Sequence, residues 1–394
     1  MNRVAMRKIE LILVVLSLVC GLAKTSAQEV DTRGFNLIVV GDPQPQTEEQ
    51  LGRLESEIMP HIATIVERYK AESDLPTAIL LTGDVVWDTM SFLPRVKALF
   101  EGLGVDVYAV MGNHDHDRQS PRNERVAESH YVQAFGPKNY AVAMGQSLLI
   151  GLDNIGYRSY EDYTPQVDLR QRRWLRSVVR QTDEEKRLVV AMHAPAVDFR
   201  NGCEPQKYTR KLLRILKGRR VNFITGHRHR HAIAEIAEGV MEISVSQVNG
   251  NLWFAPLCGD GMPRAVLCIE ERDGEWQWHY DILGRESNNP IYLLSDEHSS
   301  EVVIKVAGWE DAWRVEWAED GESKGAMEQF TMVDPEYMHY VEQEANYSEV
   351  IMQRLRRSAM PRNHYFRCIP SENATNVTIN VTDRFGRVYS HTVE

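Results

Sequence analysis

From residue 35 onward, short apolar runs recur along the chain: Phe35–Val40, Ala78–Leu81, Val107–Val110, Leu148–Leu152, Leu188–Ala191 and Val221–Ile224. Each has the length and composition of a strand buried on both faces. Stretches of helical character lie between them. Glu48–Ala71 is rich in helix formers, Phe92–Gly102 closes on a glycine, Glu128–Phe135 stops at Gly136-Pro137, and Leu169–Arg180 repeats its apolar residues at helical spacing. Strand and helix in alternation predict an α/β layer joined by crossover helices. Near Ser287-Asn288-Asn289-Pro290 the character changes. Glu301–Val306, Trp313–Trp317 and Val377–Val381 are β-rich pieces separated by turn residues, which predicts a small β-sandwich. The expected domains are 28–290 and 291–394.

Residues 1–27 stand apart from this pattern. A basic start (Arg3, Arg7, Lys8), an apolar run from Leu11 to Leu22 and the small residues Thr25-Ser26-Ala27 read as a signal peptide cleaved before Gln28. The run is shorter than the roughly 20 residues a spanning helix needs, and no later run approaches that length, so no transmembrane segment is expected in the mature chain. The protein is expected to be exported, periplasmic or secreted. Lipoprotein anchoring through Cys20 is not expected, because Val19 stands where a small residue is required.

Composition narrows the class further. With 43% hydrophobic and 26% charged residues in 394, the chain is an ordinary globular protein, and collagen-like or wholly disordered readings are excluded. A net charge of −11 argues against bulk nucleic acid as the main partner. Cys203, Cys258, Cys268 and Cys368 lie too far apart to form a disulfide framework or thiolate metal site, and are expected to be free thiols.

The chemistry sits where the strands end. Five runs lead directly into polar clusters: Gly41-Asp42-Pro43-Gln44, Gly83-Asp84 with Asp88, Gly112-Asn113-His114-Asp115, His193-Ala194-Pro195 and Gly226-His227-Arg228-His229. In an open α/β sheet ligands bind beyond the carboxyl ends of strands, so clusters distant in sequence can converge on one site. Carboxylates, amides and imidazoles without a thiolate suit Mn, Fe or Zn. Asp42, Asp84, His193, His227 and His229 provide enough donors for two ions, and Asn113 and Gln44 add neutral oxygens. Two divalent ions facing only two carboxylates, Asp42 and Asp84, retain a positive surplus. Such a surplus attracts a phosphate ester and brings the pKa of bound water toward about 7.

In this order the clusters resemble the signature of the calcineurin-like metallophosphoesterases: Asp-x-His, Gly-Asp with a further Asp, Gly-Asn-His-Asp/Glu, a lone His and Gly-His-x-His. The resemblance spans about residues 35 to 290. It implies a four-layer α/β/β/α sandwich and hydrolysis of a phosphomonoester or phosphodiester by a metal-bridging hydroxide. It also implies that Asp42, Gln44, Asp84 and His229 hold one metal, that Asp84, Asn113, His193 and His227 hold the other, and that Asp84 bridges. His114 would contact the phosphate or protonate the leaving oxygen, oriented by Asp88 or Asp115. Gln44 departs from the commonest pattern, in which a histidine stands there.

The chain is more similar still to an exported bacterial branch with a β-rich C-terminal domain. There a Gly-Asp-x-Gln start recurs, which makes Gln44 a normal ligand. Trp253, Cys258–Pro263 and Val381–Arg387 are similar to segments of that branch, with Met262 in place of a threonine. Arg228 and Arg264 are candidate binders of phosphate oxygens, because guanidinium forks match them. The expected substrate is a phosphorylated small molecule, lipid or glycan. Nucleotide pyrophosphatase, cyclic nucleotide phosphodiesterase and non-catalytic binder of a phosphorylated glycan or lipid are the alternatives.

Overall fold

The computed structural model describes residues 31–393 except 121–122, 160–161, 286–287 and 296–298. The leader at 1–27, Cys20 and Ser287 of the expected domain boundary therefore lie outside the described residues.

Two β-sheets face each other. In the first, Gly34–Val40, Thr77–Leu81 and Asp106–Ala109 run parallel, and Ala265–Arg272 and Glu275–Ile282 extend the Gly34 side antiparallel. In the second, Ser147–Leu152, Arg187–Ala191, Val221–Thr225 and Val240–Ser244 run parallel between the antiparallel edge strands Asn139–Met144 and Ala232–Ala237. Five of the six apolar runs of the first domain are interior strands, as their burial on both faces requires. The run at Val107–Val110 differs: it belongs to the edge strand Asp106–Ala109, of which only Ala109 is fully buried. Alternate residues of each sheet divide between its two faces, giving three cores in all. Leu37, Val39, Leu80, Leu149, Val189, Ala191 and Ile224 meet between the sheets. Ile38, Val40, Ile79 and Leu81 face outward onto the first helix layer, and Ile150, Leu188, Val190 and Phe223 onto the second. The result is a four-layer α/β/β/α sandwich.

The long helical stretch after Gln44 is not uniform. Thr47 caps it by accepting the Gln50 N–H at 3.2 Å, and the helix widens to a π-turn over Leu54–Ile58 before Met59–Glu72 continues. Pro60 has no N–H to give to the preceding turn, so the widening falls where a regular helical bond is missing.

From Ile291 the chain forms two antiparallel four-stranded sheets, packed on Ile304, Val306, Phe366, Ile379 and Val381. The β-rich expectation is met, with one addition: two helices, Pro335–His339 and Glu349–Ser358, interrupt the strands. Asp334 caps the first by accepting the Tyr337 N–H at 2.7 Å, and Pro335 opens it, where a missing N–H costs nothing. Tyr337, Met352 and Leu355 pack these helices onto Ala255 and Leu257 of the preceding domain. They lie over the same edge of the sandwich at which the polar clusters emerge.

Candidate metal centre

The loops that leave the two sheets meet because their backbones are bent in ways extended chain cannot be. Asp42, Gln44, Asp84, Asp88, His227 and His229 all have positive φ, between 37° and 67°. For residues with a Cβ this costs about 1–3 kcal/mol each and persists only where surrounding structure over-determines it. Glycines complete the approach at two points. A Cβ on Gly112 would sit 2.2 Å from Asp84, and one on Gly226 would sit 2.6 Å from the Asp42 carboxylate.

The centre forms around His193. Its Nδ1 faces the Thr82 carbonyl at 2.8 Å, which fixes the ring so that Nε2 points into the cluster. Three groups converge on that one nitrogen: Asn113 Oδ1 at 3.1 Å, His227 Nδ1 at 3.0 Å and Asp84 Oδ2 at 3.3 Å. One proton cannot satisfy three acceptors, whereas a cation among them satisfies all their lone pairs. Asp84, His193 and His227 offer ligand atoms within 4.8 Å of one another.

Asp42 and Gln44 form the other half. Asp42 Oδ2 accepts the His227 N–H at 2.8 Å and lies 3.7 Å from His229 Nε2, while its Oδ1 is buried without a hydrogen bond. The Gln44 amide donates to Asp84 Oδ2 at 2.7 Å, and its buried Oε1 has no partner. Oxygens left bare at full burial cost about 1–3 kcal/mol each, and a cation offsets that cost. The seven residues expected as metal donors thus stand together, and their donor set fits a pair of hard or borderline cations.

Burial opposes a charge on His193, but the carboxylates of Asp84 and Asp42 outweigh it and raise the ring to about 9, so a cation in the cluster would displace its proton. Burial raises the Asp42 carboxyl, and the neighbouring Asp84 charge adds to the rise. Burial acts on Asp84 in the same direction, but the imidazoles of His193 and His114 outweigh it and hold Asp84 below the usual carboxylate range. Burial lowers His227 and His229 to about 3, so both rings are neutral and have a lone pair to give.

His114 sits beside the cluster. Its backbone N–H donates to Asp84 Oδ1 at 2.8 Å and its Nδ1 faces Asp88 Oδ1 at 3.0 Å, so the partner carboxylate is Asp88. Asp115 does something else. Its two oxygens accept the N–H groups of Gly112 at 2.8 Å and Val86 at 3.1 Å, tying together the loops that hold Asp84 and His114. Burial opposes a charge on His114, but the carboxylates of Asp84 and Asp88 outweigh it and raise the pKa above the usual imidazole value. Replacing Asp88 with asparagine removes one of the two groups that hold the proton. The basic limb of the pH profile of kcat/KM should therefore move to lower pH, while an unmoved limb would remove the Asp88–His114 pair from any proton step.

The two candidate arginines separate. Arg228 lies between His227 and His229, half-buried, with its guanidinium 5.8 Å from the Phe199 ring. Arg264 pairs with Glu57 at 2.6 Å and stacks over Trp253 at 5.7 Å. Trp253 is itself buried and donates Nε1–H to the Pro43 carbonyl at 2.8 Å.

Sequence reasoning missed two supports. Asn249 donates to the carbonyls of Asp42 at 3.0 Å and Pro43 at 2.9 Å, holding the strained Asp42 loop; Asn249-Gly250 reads only as a turn dipeptide. Glu242 is fully buried on a central strand and accepts from the Ala196 and Val197 N–H groups and the Thr225 hydroxyl at 2.9, 2.8 and 2.6 Å. It thereby fixes the loop that follows His193, and a lone acid within Val240–Ser244 gives no sign of that in sequence.

Comparisons with known proteins bear on this arrangement. The profile of the family described as calcineurin-like phosphoesterase matches residues 35–231, and the profile for the C terminal of calcineurin-like phosphoesterase matches residues 242–389. Among solved structures, a dimetal phosphatase from Danio rerio is 14% identical with a TM-score of 0.41, over 62% of this chain and 98% of that one. A purple acid phosphatase from yellow lupin (Lupinus luteus) seeds is 13% identical with a TM-score of 0.47, over 64% of this chain and 52% of that one. The anchor in the inner membrane complex of Plasmodium is 14% identical with a TM-score of 0.44, over 64% of this chain and 86% of that one. No curated protein matches.

Proposed function

The chain belongs to the calcineurin-like phosphoesterase family, and from that premise we propose that it is an exported hydrolase of phosphoric esters, dependent on two metal ions held by Asp42, Gln44, Asp84, Asn113, His193, His227 and His229. The observation that carries the reading is the convergence of Asn113, His227 and Asp84 on a single nitrogen of His193, with the bare buried oxygens of Asp42 and Gln44 alongside. Bound there, Mn, Fe or Zn ions supply a Lewis acid for the phosphoryl oxygens and a water whose pKa is brought toward about 7.

The chain's own side chains do the rest. Asp84 is shared between the two donor groups and fixes their separation, and the rigid, positive-φ loops keep the donors in place before substrate arrives. His114, with Nδ1 committed to Asp88, presents Nε2 to the substrate and delivers a proton to the departing oxygen. Arg228, placed between two metal-holding histidines, binds a phosphate oxygen of the substrate.

Export is supported by the basic start, apolar run and small-residue site of residues 1–27. No helix among the described residues is long and apolar enough to cross a membrane.

The test is metal analysis of protein purified without chelators, together with a panel of phosphomonoesters and phosphodiesters assayed with added Mn²⁺. The expected result is two metal ions per chain, ester hydrolysis, and loss of activity on chelation that Mn²⁺ restores. Protein that holds its metal in stoichiometric amount yet cleaves no ester would overturn hydrolysis and leave a phosphate-ligand binder.

A further inference from the structure

Next to His229 lies a cavity of about 150 Å³, and its walls come from both parts of the chain. Arg228, His229 and Arg230 line it from the loop that holds the metal donors, and Arg354 and Ser358 line it from the helix Glu349–Ser358. Arg354 also lies over the ring of Trp87 at 4.4 Å, and Trp87 in turn packs beside His114 with ring centroids 5.1 Å apart. The C-terminal domain thus brings a guanidinium to both the His229 side and the His114 side of the centre.

The charge balance of this cavity is unusual. Arg228 rests against Phe199, while Arg230 donates Nε–H to the Arg228 carbonyl at 3.2 Å and another N–H to the sulfur of Met360. Among the described residues neither of these two guanidiniums forms an ion pair with a carboxylate, although both are half-buried. The one carboxylate in the wall, Asp260, is buried and accepts the Met262 N–H at 3.2 Å. Asp198 and Glu242 act on Arg228, and Asp260 on Arg230, only from beyond ion-pair distance, so both desolvated cations are compensated in part. Arg228 and Arg230, gathered at one cavity with the charge of Arg354 opposite, recover the rest of the desolvation cost when an anion enters.

We infer that the substrate carries a second anionic group of the phosphate class, seated between Arg228 and Arg230 of the metallophosphoesterase sandwich and Arg354 of the C-terminal helix while the scissile phosphoryl group sits at the metal centre. This rests on the phosphoesterase reading and narrows it to doubly phosphorylated small molecules over simple monoesters. It also gives the two interrupting helices a role: they close the cavity with a charge the sandwich alone does not supply.

The test compares fructose 1,6-bisphosphate with fructose 6-phosphate on the metal-loaded full chain, by kcat/KM and by equilibrium binding in a calorimeter. The wild type should favour the bisphosphate at least about ten-fold, and Arg230→Ala and Arg354→Met should each bring that preference down to about two-fold or less. Methionine keeps the apolar stem of the side chain without its guanidinium, and Arg354→Lys should restore part of the preference. Equal kcat/KM and equal affinity for the two sugars, or variants that weaken both alike, would overturn the second anion site. Preferential binding without turnover would overturn hydrolysis and leave the anion site standing.

Discussion

Asp84→Asn should abolish turnover, lowering kcat/KM by about 10³-fold or more, equivalent to about 4 kcal/mol of transition-state stabilisation. The substitution is isosteric and keeps an oxygen for the His114 N–H, so the loop geometry has no reason to change. What it removes is the one carboxylate that faces His193, His114 and Gln44 together. With it goes the negative charge that compensates two closely spaced cations, and metal content should fall below two per chain. Metal analysis and circular dichroism on the same sample separate this from unfolding. A variant with native fold, full metal content and wild-type turnover would mean that Asp84 lies outside the reaction, and the proposed donor assignment would fail with it.

The donors behind that prediction are legible in the sequence for a physical reason. Central parallel strands are apolar throughout, so Phe35–Val40 or Leu188–Ala191 announce themselves, and the first polar residues after each mark the carboxyl edge of a sheet. The donors sit within a few residues of those edges. What the sequence hides depends on contacts remote along the chain. Asp88 and Asp115 are equally plausible partners for His114 by position, and only the folded loops assign the first to the ring and the second to the backbone of Gly112 and Val86. Asn249 reaches the Asp42 loop across 207 residues. The edge strands Asn139–Met144 and Ala232–Ala237 are half-exposed, and Glu235 breaks the apolar run of the second. The helix Glu349–Ser358 keeps only Met352 and Leu355 buried, so its apolar face is too narrow to stand out within a β-rich region.

His114→Asn should separate proton delivery from metal chemistry. The ring is not among the seven donors, and its Nδ1 is held by Asp88, so metal content should stay at the wild-type level. For an alkyl phosphate, whose leaving oxygen must be protonated as the bond breaks, kcat should fall about 10²- to 10⁴-fold. For p-nitrophenyl phosphate the leaving group is stable as an anion and needs no proton, so the fall should be about ten-fold or less. The ratio of the two effects is the measurement, because a loss of substrate positioning would depress both esters alike. The sign of the pH dependence provides a second check. His114 is raised above its ordinary value by Asp84 and Asp88, so it stays protonated until the pH passes that raised pKa, and wild-type activity on the alkyl ester should decline only beyond it. In His114→Asn that basic limb should vanish for the alkyl ester while the acidic limb remains. Equal losses on the two esters, with the basic limb retained, would assign the proton to another group and reduce His114 to a contact for the phosphate.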